Sequence, residues 1–349
     1  MEENLSVVLH GKDDMRLENK PISPPGPSDV LLQVHSVGIC GSDIKYWTHG
    51  YCGRFVLESP MVMGHEGSGT VIQIGKNVKD LKIGDRVAIE PGIPCRECQL
   101  CKDGRYNICI DVKFCATPPV DGNLCRYYTH PADFCHKLPP NVSLEEGALI
   151  EPLSVAVYSC SRGNVGLGSN VLICGAGPVG LLVLLTAKAM GAATVAITDI
   201  DEHRLSIAKE KGADCVIMVE KTDNKQLAER TVDIMGCSPD VVFECSGSDD
   251  SLCMGIYACK SGGCVVLIGR GSLEPTIPLV NAAVREIDIK GIFRYANCYA
   301  KAISMVSSGA LEVSSLISHR FDLTKSLDAF TTANDRNSKA IKVIINCDK

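Results

Sequence analysis

Clustered positive charge is missing from this chain. Its 35 lysines and arginines are outnumbered by 41 aspartates and glutamates, a net charge of −6. No basic stretch resembles a nucleic-acid footprint, so DNA and RNA are not expected partners. The start, Met1-Glu2-Glu3-Asn4, is acidic, whereas a secretory signal needs a basic start and an apolar block. The last residues, Asn346-Cys347-Asp348-Lys349, match no lipidation or peroxisomal address. Internal repeats and low-complexity segments are absent. Long apolar runs are scarce too. Val171 to Ala189 approaches the length of a bilayer crossing, but Gly175, Gly177, Pro178 and Gly180 interrupt it and Lys188 lies near its end. A strand, a glycine turn and a buried helix fit that pattern better than a membrane span. These absences lead us to expect a cytoplasmic chain with no membrane partner.

Cysteine, by contrast, is plentiful: there are 19. Without a secretory signal, reduced thiols are the better reading than a disulfide framework. Four of them, Cys95, Cys98, Cys101 and Cys109, form C-x2-C-x2-C-x7-C. Four soft thiolates so close in sequence suit a tetrahedral zinc with no open position, which is a structural site. Most of the others read as small buried hydrophobes.

A second set of ligand types is dispersed. Cys40 stands within Gly38-Ile39-Cys40-Gly41-Ser42-Asp43, and His65 and Glu66 follow Gly64. Glu151 lies in Leu149-Ile150-Glu151-Pro152, where the texture of the chain changes. One thiolate, one imidazole and one or two carboxylates leave a position for water or a substrate oxygen, as a catalytic zinc requires.

At 349 residues the chain has room for two domains. Residues 5–95 carry short apolar stretches separated by Gly, Pro and Asn, the pattern of β-strands and turns. Beyond about residue 153, apolar strands such as Val171–Cys174, Thr194–Asp199, Asp240–Glu244 and Cys264–Gly269 alternate with helical stretches. That alternation predicts a doubly wound parallel sheet. Gly175, Gly177 and Gly180, with Pro178 and Val179 between them, spell G-x-G-x-x-G after a strand and before a helix. An acid, Asp199, ends the next strand about twenty residues on, which is the context of a dinucleotide fingerprint. Asp199 is expected to accept hydrogen bonds from ribose hydroxyls and to repel a 2′-phosphate, favouring NAD. Arg204 could stack on adenine or meet such a phosphate.

These motifs resemble the zinc-containing medium-chain alcohol dehydrogenase superfamily, and within it the polyol dehydrogenases. More specific segments carry the likeness: Phe114–Pro119, Asp121–Arg126, Glu145–Val155 and Arg285–Tyr295. The resemblance covers nearly the whole chain. It implies an α/β protein with a GroES-like β-barrel catalytic domain, residues 1–153 completed by 294–349. A Rossmann NAD-binding domain would span 154–293. The two ligand sets predict two zinc ions per chain, and the resemblance implies a homotetramer. Cys40, His65 and Glu66 would hold the catalytic zinc with a water, and Glu151 would stand beside that water or exchange with it. Alcohol dehydrogenases proper use a second cysteine where this chain has a carboxylate. Ser42, Tyr46, Phe114, Thr117, Glu151, Arg294 and Tyr295 match polyol-contacting positions, with Ser42 as a proton relay. The implied activity is reversible oxidation of sorbitol to fructose; xylitol, another polyol or threonine are the sibling alternatives. A non-catalytic NAD-binding protein would be marked by a lost zinc ligand, and none is missing. Relatives that lack most of the cysteine quartet imply that its zinc serves stability. Lys45 and Arg270 depart from the family pattern.

Overall fold

The computed structural model describes residues 3–348. It separates into two compact units, one running up to Glu151 and resuming at Tyr299, the other running from Pro152 to Cys298. Arg294 and Tyr295 therefore lie in the second unit.

The first unit is built on a seven-stranded sheet. Its order is Cys135–Lys137, Arg86–Ile89, Glu66–Ile74, Asp29–Gly38, Lys342–Asn346 and Ile317–Asp322, with Tyr127–Pro131 also paired to Asp29–Gly38. Alternation along the central strand sends Val30 and Leu32 into a cluster with Val71, Val87 and Ile89. Farther along, Val34, Val37 and Ile39 join Met63, Leu124, Phe330, Val343 and Ile345. Each such side chain contributes about 1.5–3 kcal/mol by leaving water. Register decides what else meets here. Gly38 stands opposite Glu66 on one side and opposite Ile344 on the other. The Ile39 N–H then donates to the Val343 carbonyl at 3.0 Å. Cys40, Glu66 and Lys342 are thereby drawn to one end of the sheet.

Within this β-rich stretch the chain makes one helix, Gly41–His49, which the strand-and-turn pattern does not announce. Cys40 is its extended N-cap residue, and the Cys40 N–H donates to Asp43 Oδ2 at 2.9 Å. An acid three residues into the helix satisfies an otherwise orphaned amide. Gly50 ends the helix at φ +80°, and its N–H donates to the Tyr46 carbonyl. This left-handed stop suits glycine.

The cysteine-rich segment forms a small lobe with a short helix, Gln99–Lys102, and a 3-10 turn, Tyr106–Ile108. Buried Glu90 pins it to the sheet. The Tyr106 hydroxyl donates to Glu90 Oε1 at 2.6 Å, and His136 meets Oε2 at 2.6 Å. His130 Nε2–H donates to the Glu90 carbonyl at 2.8 Å. Arg96 adds a paired contact to Asp133 at the surface.

The second unit holds six parallel strands in the order Cys215–Met218, Thr194–Asp199, Asn170–Cys174, Val241–Glu244, Cys264–Leu267 and Asp288–Gly291. In chain order this is 3-2-1-4-5-6, the doubly wound arrangement whose ligands bind beyond the carboxyl ends of the strands. The apolar run 171–189 resolves into the strand Asn170–Cys174, a turn and the helix Pro178–Ala189. No helix among the described residues is long and apolar enough to cross a membrane. Arg285 closes the far side by donating to the carbonyls of Ile256, Tyr257 and Cys259. These belong to the C-terminal end of the helix Asp249–Ala258, where orphaned carbonyls favour a cation.

Candidate active site

Three side chains converge at the sheet end described above. The Cys40 thiol, a His65 ring nitrogen and a Glu66 carboxylate oxygen lie within 4.8 Å of one another. Cys40 is half-buried, whereas His65 and Glu66 are 5% and 1% exposed. Thiolate, imidazole and carboxylate together form a donor set that suits zinc. Glu151, also buried, is not a member of that tight group.

The surroundings of these ligands are ordered by charge. His65 Nδ1 sits 3.3 Å from Asp43 Oδ1, both buried. A carboxylate behind one ring nitrogen orients the imidazole and leaves the other nitrogen for a metal. Burial alone would lower the His65 pKa, but Asp43, with Cys40 contributing, outweighs it and holds the ring well above its ordinary value. Asp43 thus ties Cys40, through its amide, to His65, through its ring. On the other side Lys342 Nζ donates to Glu66 Oε1 at 2.9 Å and Oε2 at 2.6 Å. Burial opposes the lysine's charge, yet Glu66 and Cys40 hold its pKa above the ordinary value, with Glu151 contributing. Gly38 leaves room for this arrangement, since a Cβ there would collide with Glu66 Oε2. Asp43 and Lys342 do not emerge from sequence reasoning as site residues. Asp43 had a local signal, the helix-start spacing from Cys40; Lys342 had none.

Around the set, Phe114 is buried with its ring 5.7 Å from that of His65. The Thr117 N–H donates to the Phe114 carbonyl at 3.1 Å. Tyr46 is buried and Ser42 half-buried, both on the helix Gly41–His49.

The quartet forms a separate cluster. Cys95, Cys98, Cys101 and Cys109 place their sulfurs within 4.8 Å of one another. Cys98 and Cys101 are 3.5 Å apart at sulfur, and Cys95 and Cys101 are 3.9 Å apart. Four sulfurs about 2.3 Å from a tetrahedral zinc stand about 3.8 Å from one another, so the pocket fits that ion. Backbone N–H groups of Cys98 and Glu97 pull the Cys95 thiol down to about 7, while desolvation pushes Cys101 up to about 12.

In the second unit each fingerprint glycine has its own reason. Gly175 adopts φ +103°. A Cβ on Gly177, the N-cap position of the helix Pro178–Ala189, would meet nothing within 4 Å, so the backbone there is open to close approach. A Cβ on Gly180 would strike the Gly175 carbonyl. No side chain caps that helix start, leaving its amides and dipole for a pyrophosphate. Pro178 and Val179 form the first turn. Asp199 Oδ2 accepts the Ala176 N–H at 2.6 Å, and Oδ1 accepts the Asp201 N–H at 3.0 Å. The carboxylate is thus fixed beside the glycine turn with lone pairs left for ribose hydroxyls. Arg204 begins the neighbouring helix, its N–H donating to Asp201. Arg294 has a left-handed backbone, φ +55°, and its guanidinium lies 4.6 Å from the Phe293 ring centroid, with that of Arg270 at 5.3 Å. Tyr295 is buried.

Residues 26–140 match the alcohol dehydrogenase GroES-like domain family, and residues 178–308 match the zinc-binding dehydrogenase family. The chain is 55% identical over 345 residues to sorbitol dehydrogenase of Homo sapiens, covering 99% of this chain and 96% of that one. It is 51% identical to sorbitol dehydrogenase of Gallus gallus, covering 99% and 97%. Among solved structures, L-idonate 5-dehydrogenase from Escherichia coli superposes with a TM-score of 0.91 at 30% identity, covering 99% and 98% of the two chains. The 2R,3R-butanediol dehydrogenase from Bacillus subtilis superposes with a TM-score of 0.88 at 28% identity, covering 98% and 99%.

Proposed function

The chain belongs to the sorbitol dehydrogenase branch of the zinc-containing medium-chain alcohol dehydrogenases, and from that premise we propose that it oxidises sorbitol to fructose with NAD, reversibly. The observation that carries the reading is the thiolate, imidazole and carboxylate set of Cys40, His65 and Glu66. When bound there, zinc supplies the Lewis acid that makes an alcohol hydroxyl easier to deprotonate, and NAD supplies the hydride acceptor. The second zinc belongs to the quartet and to stability. For each sorbitol oxidised, one hydride leaves C2 and one proton leaves its hydroxyl, giving fructose, NADH and a proton.

The chain's own groups do the rest. The Glu151 carboxylate takes the hydroxyl proton, directly or by way of Ser42 Oγ. Tyr46, Phe114 and Thr117 shape the substrate's surroundings. Arg294 and Tyr295 hold its outer hydroxyls; a guanidinium offers five donors in a fixed fork. Asp199 selects NAD over NADP by about 100-fold or more, through hydrogen bonds that a 2′-phosphate would deny.

The same reading includes a cytoplasmic, homotetrameric protein. None of the 19 cysteines, all among the described residues, forms a disulfide, and reduced thiols suit a reducing compartment. In support of assembly, the last strand of the parallel sheet, Asp288–Gly291, has no partner on its outer side among the described residues, and Val280 and Val284 nearby in sequence are each 76% exposed. An open edge with exposed apolar side chains favours a second copy of the chain.

The test is NADH formation with sorbitol, xylitol, threonine and ethanol, alongside size measurement in solution. Sorbitol should give the highest catalytic efficiency and ethanol the lowest. Higher efficiency with threonine would overturn the substrate assignment, and a monomer would overturn the assembly.

A further inference from the structure

The three candidate ligands are not equivalent in what stands behind them. His65 is backed by an anion, Asp43, at 3.3 Å. Glu66 is backed by a cation. Lys342 is 3% exposed and gives its ammonium donors to both Glu66 oxygens and, at 3.1 Å, to the Ile39 carbonyl. Ile39 immediately precedes Cys40. The lysine is tethered to the strand Lys342–Asn346, so it cannot leave as a solvent ion would. An anion behind a ligand strengthens its donation to a metal. A cation on a carboxylate's lone pairs opposes it by competition and by charge.

We propose that Lys342 keeps Glu66 a weak, releasable ligand of the active-site metal, so that the third protein ligand can yield its place when a polyol brings its own oxygens. Lys342 is thus a positioning residue that acts through Glu66. The inference rests on the reading that Cys40, His65 and Glu66 hold zinc. It also gives the buried lysine a reason that packing alone does not: an apolar side chain of similar length would fill the same space without confronting a ligand.

The test uses the full-length zinc-loaded protein and Lys342→Met, which keeps the stem and removes the charge. Zinc retention is measured by competition with a chromophoric chelator. His65→Ala identifies which of the two ions belongs to this site. We expect Lys342→Met to hold that zinc about 10- to 100-fold more tightly. Its metal-free form should melt several degrees lower, because Glu66 then keeps a buried charge without its partner. If the lysine instead orients Glu66 for binding, retention falls by about tenfold or more. Equal or weaker retention overturns the proposal. Should Lys342→Met not fold, Lys342→Gln, which can still donate to Glu66 without carrying a charge, replaces it in the same zinc competition. Tighter retention then supports the proposal, and equal or weaker retention overturns it. If His65→Ala still keeps both zinc ions, the metal assignment has failed, and this inference falls with it.

Discussion

Cys95, Cys98, Cys101 and Cys109 lie in one short loop and need little beyond local turns to meet. Cys40, His65 and Glu66 meet because two strands pair in a fixed register, and the lysine that touches Glu66 arrives from 276 residues away. The quartet is a set of like thiols that would fill all four positions of a tetrahedral zinc. The other set has mixed donors, an anion behind one and a cation behind another. Both occur in the same unit of the chain, so the contrast is not one of fold. A closed shell of identical donors gives permanence, whereas an uneven shell can change partners.

The largest effect should come from breaking the uneven set. His65→Ala should lose one zinc by elemental analysis and lower kcat/KM by at least about 1,000-fold, equivalent to about 4 kcal/mol. The quartet's zinc should remain. Next, Cys98→Ser should lose the other zinc and lower Tm by about 5–10 °C, while turnover per folded chain stays within about tenfold. Abolished turnover in a still-folded Cys98→Ser protein would erase the contrast.

Acid should expose how the lobe is anchored. Burial lowers the His130 pKa from 6.5 to about 4. The folded chain therefore keeps it neutral, while the unfolded chain takes up a proton below about 6.5. Its contribution is whole above that pH and is lost as the pH falls toward 4, amounting to about 3 kcal/mol. Denaturant unfolding across this window should show the slope, and His130→Gln should flatten it while retaining a donor for the Glu90 carbonyl. Smallest of all, Tyr106→Phe removes one hydrogen bond between lobe and sheet. It should cost about 1–2 kcal/mol in thermal unfolding and leave zinc content unchanged.

The contrast also explains what could be read from the chain itself. The quartet is visible because its ligands are local. The parallel sheet is visible because its strands are continuous apolar runs, Val171–Cys174 and Val241–Phe243 among them, and because glycines mark the turn after the first. The helix Gly41–His49 was hidden: its residues are largely small or polar, and its start rests on a backbone bond from Cys40 to Asp43 rather than on an apolar period. Lys342 was hidden more deeply. In Ile341-Lys342-Val343-Ile344-Ile345 it looks like the polar member of a strand. Only the register of Ile344 against Gly38, and of Gly38 against Glu66, turns it inward.

Gly38 has a consequence for variation at this site. The space its missing side chain leaves is the space one Glu66 oxygen fills, so the two positions share a single volume and should change only together. In a library randomised at 38 and 66 and selected for zinc retention, glycine at 38 should dominate wherever glutamate occupies 66. Alanine at 38 should appear chiefly beside a shorter ligand such as aspartate or cysteine. What looks like an unremarkable small residue at the end of a strand would then be one letter of a two-letter word.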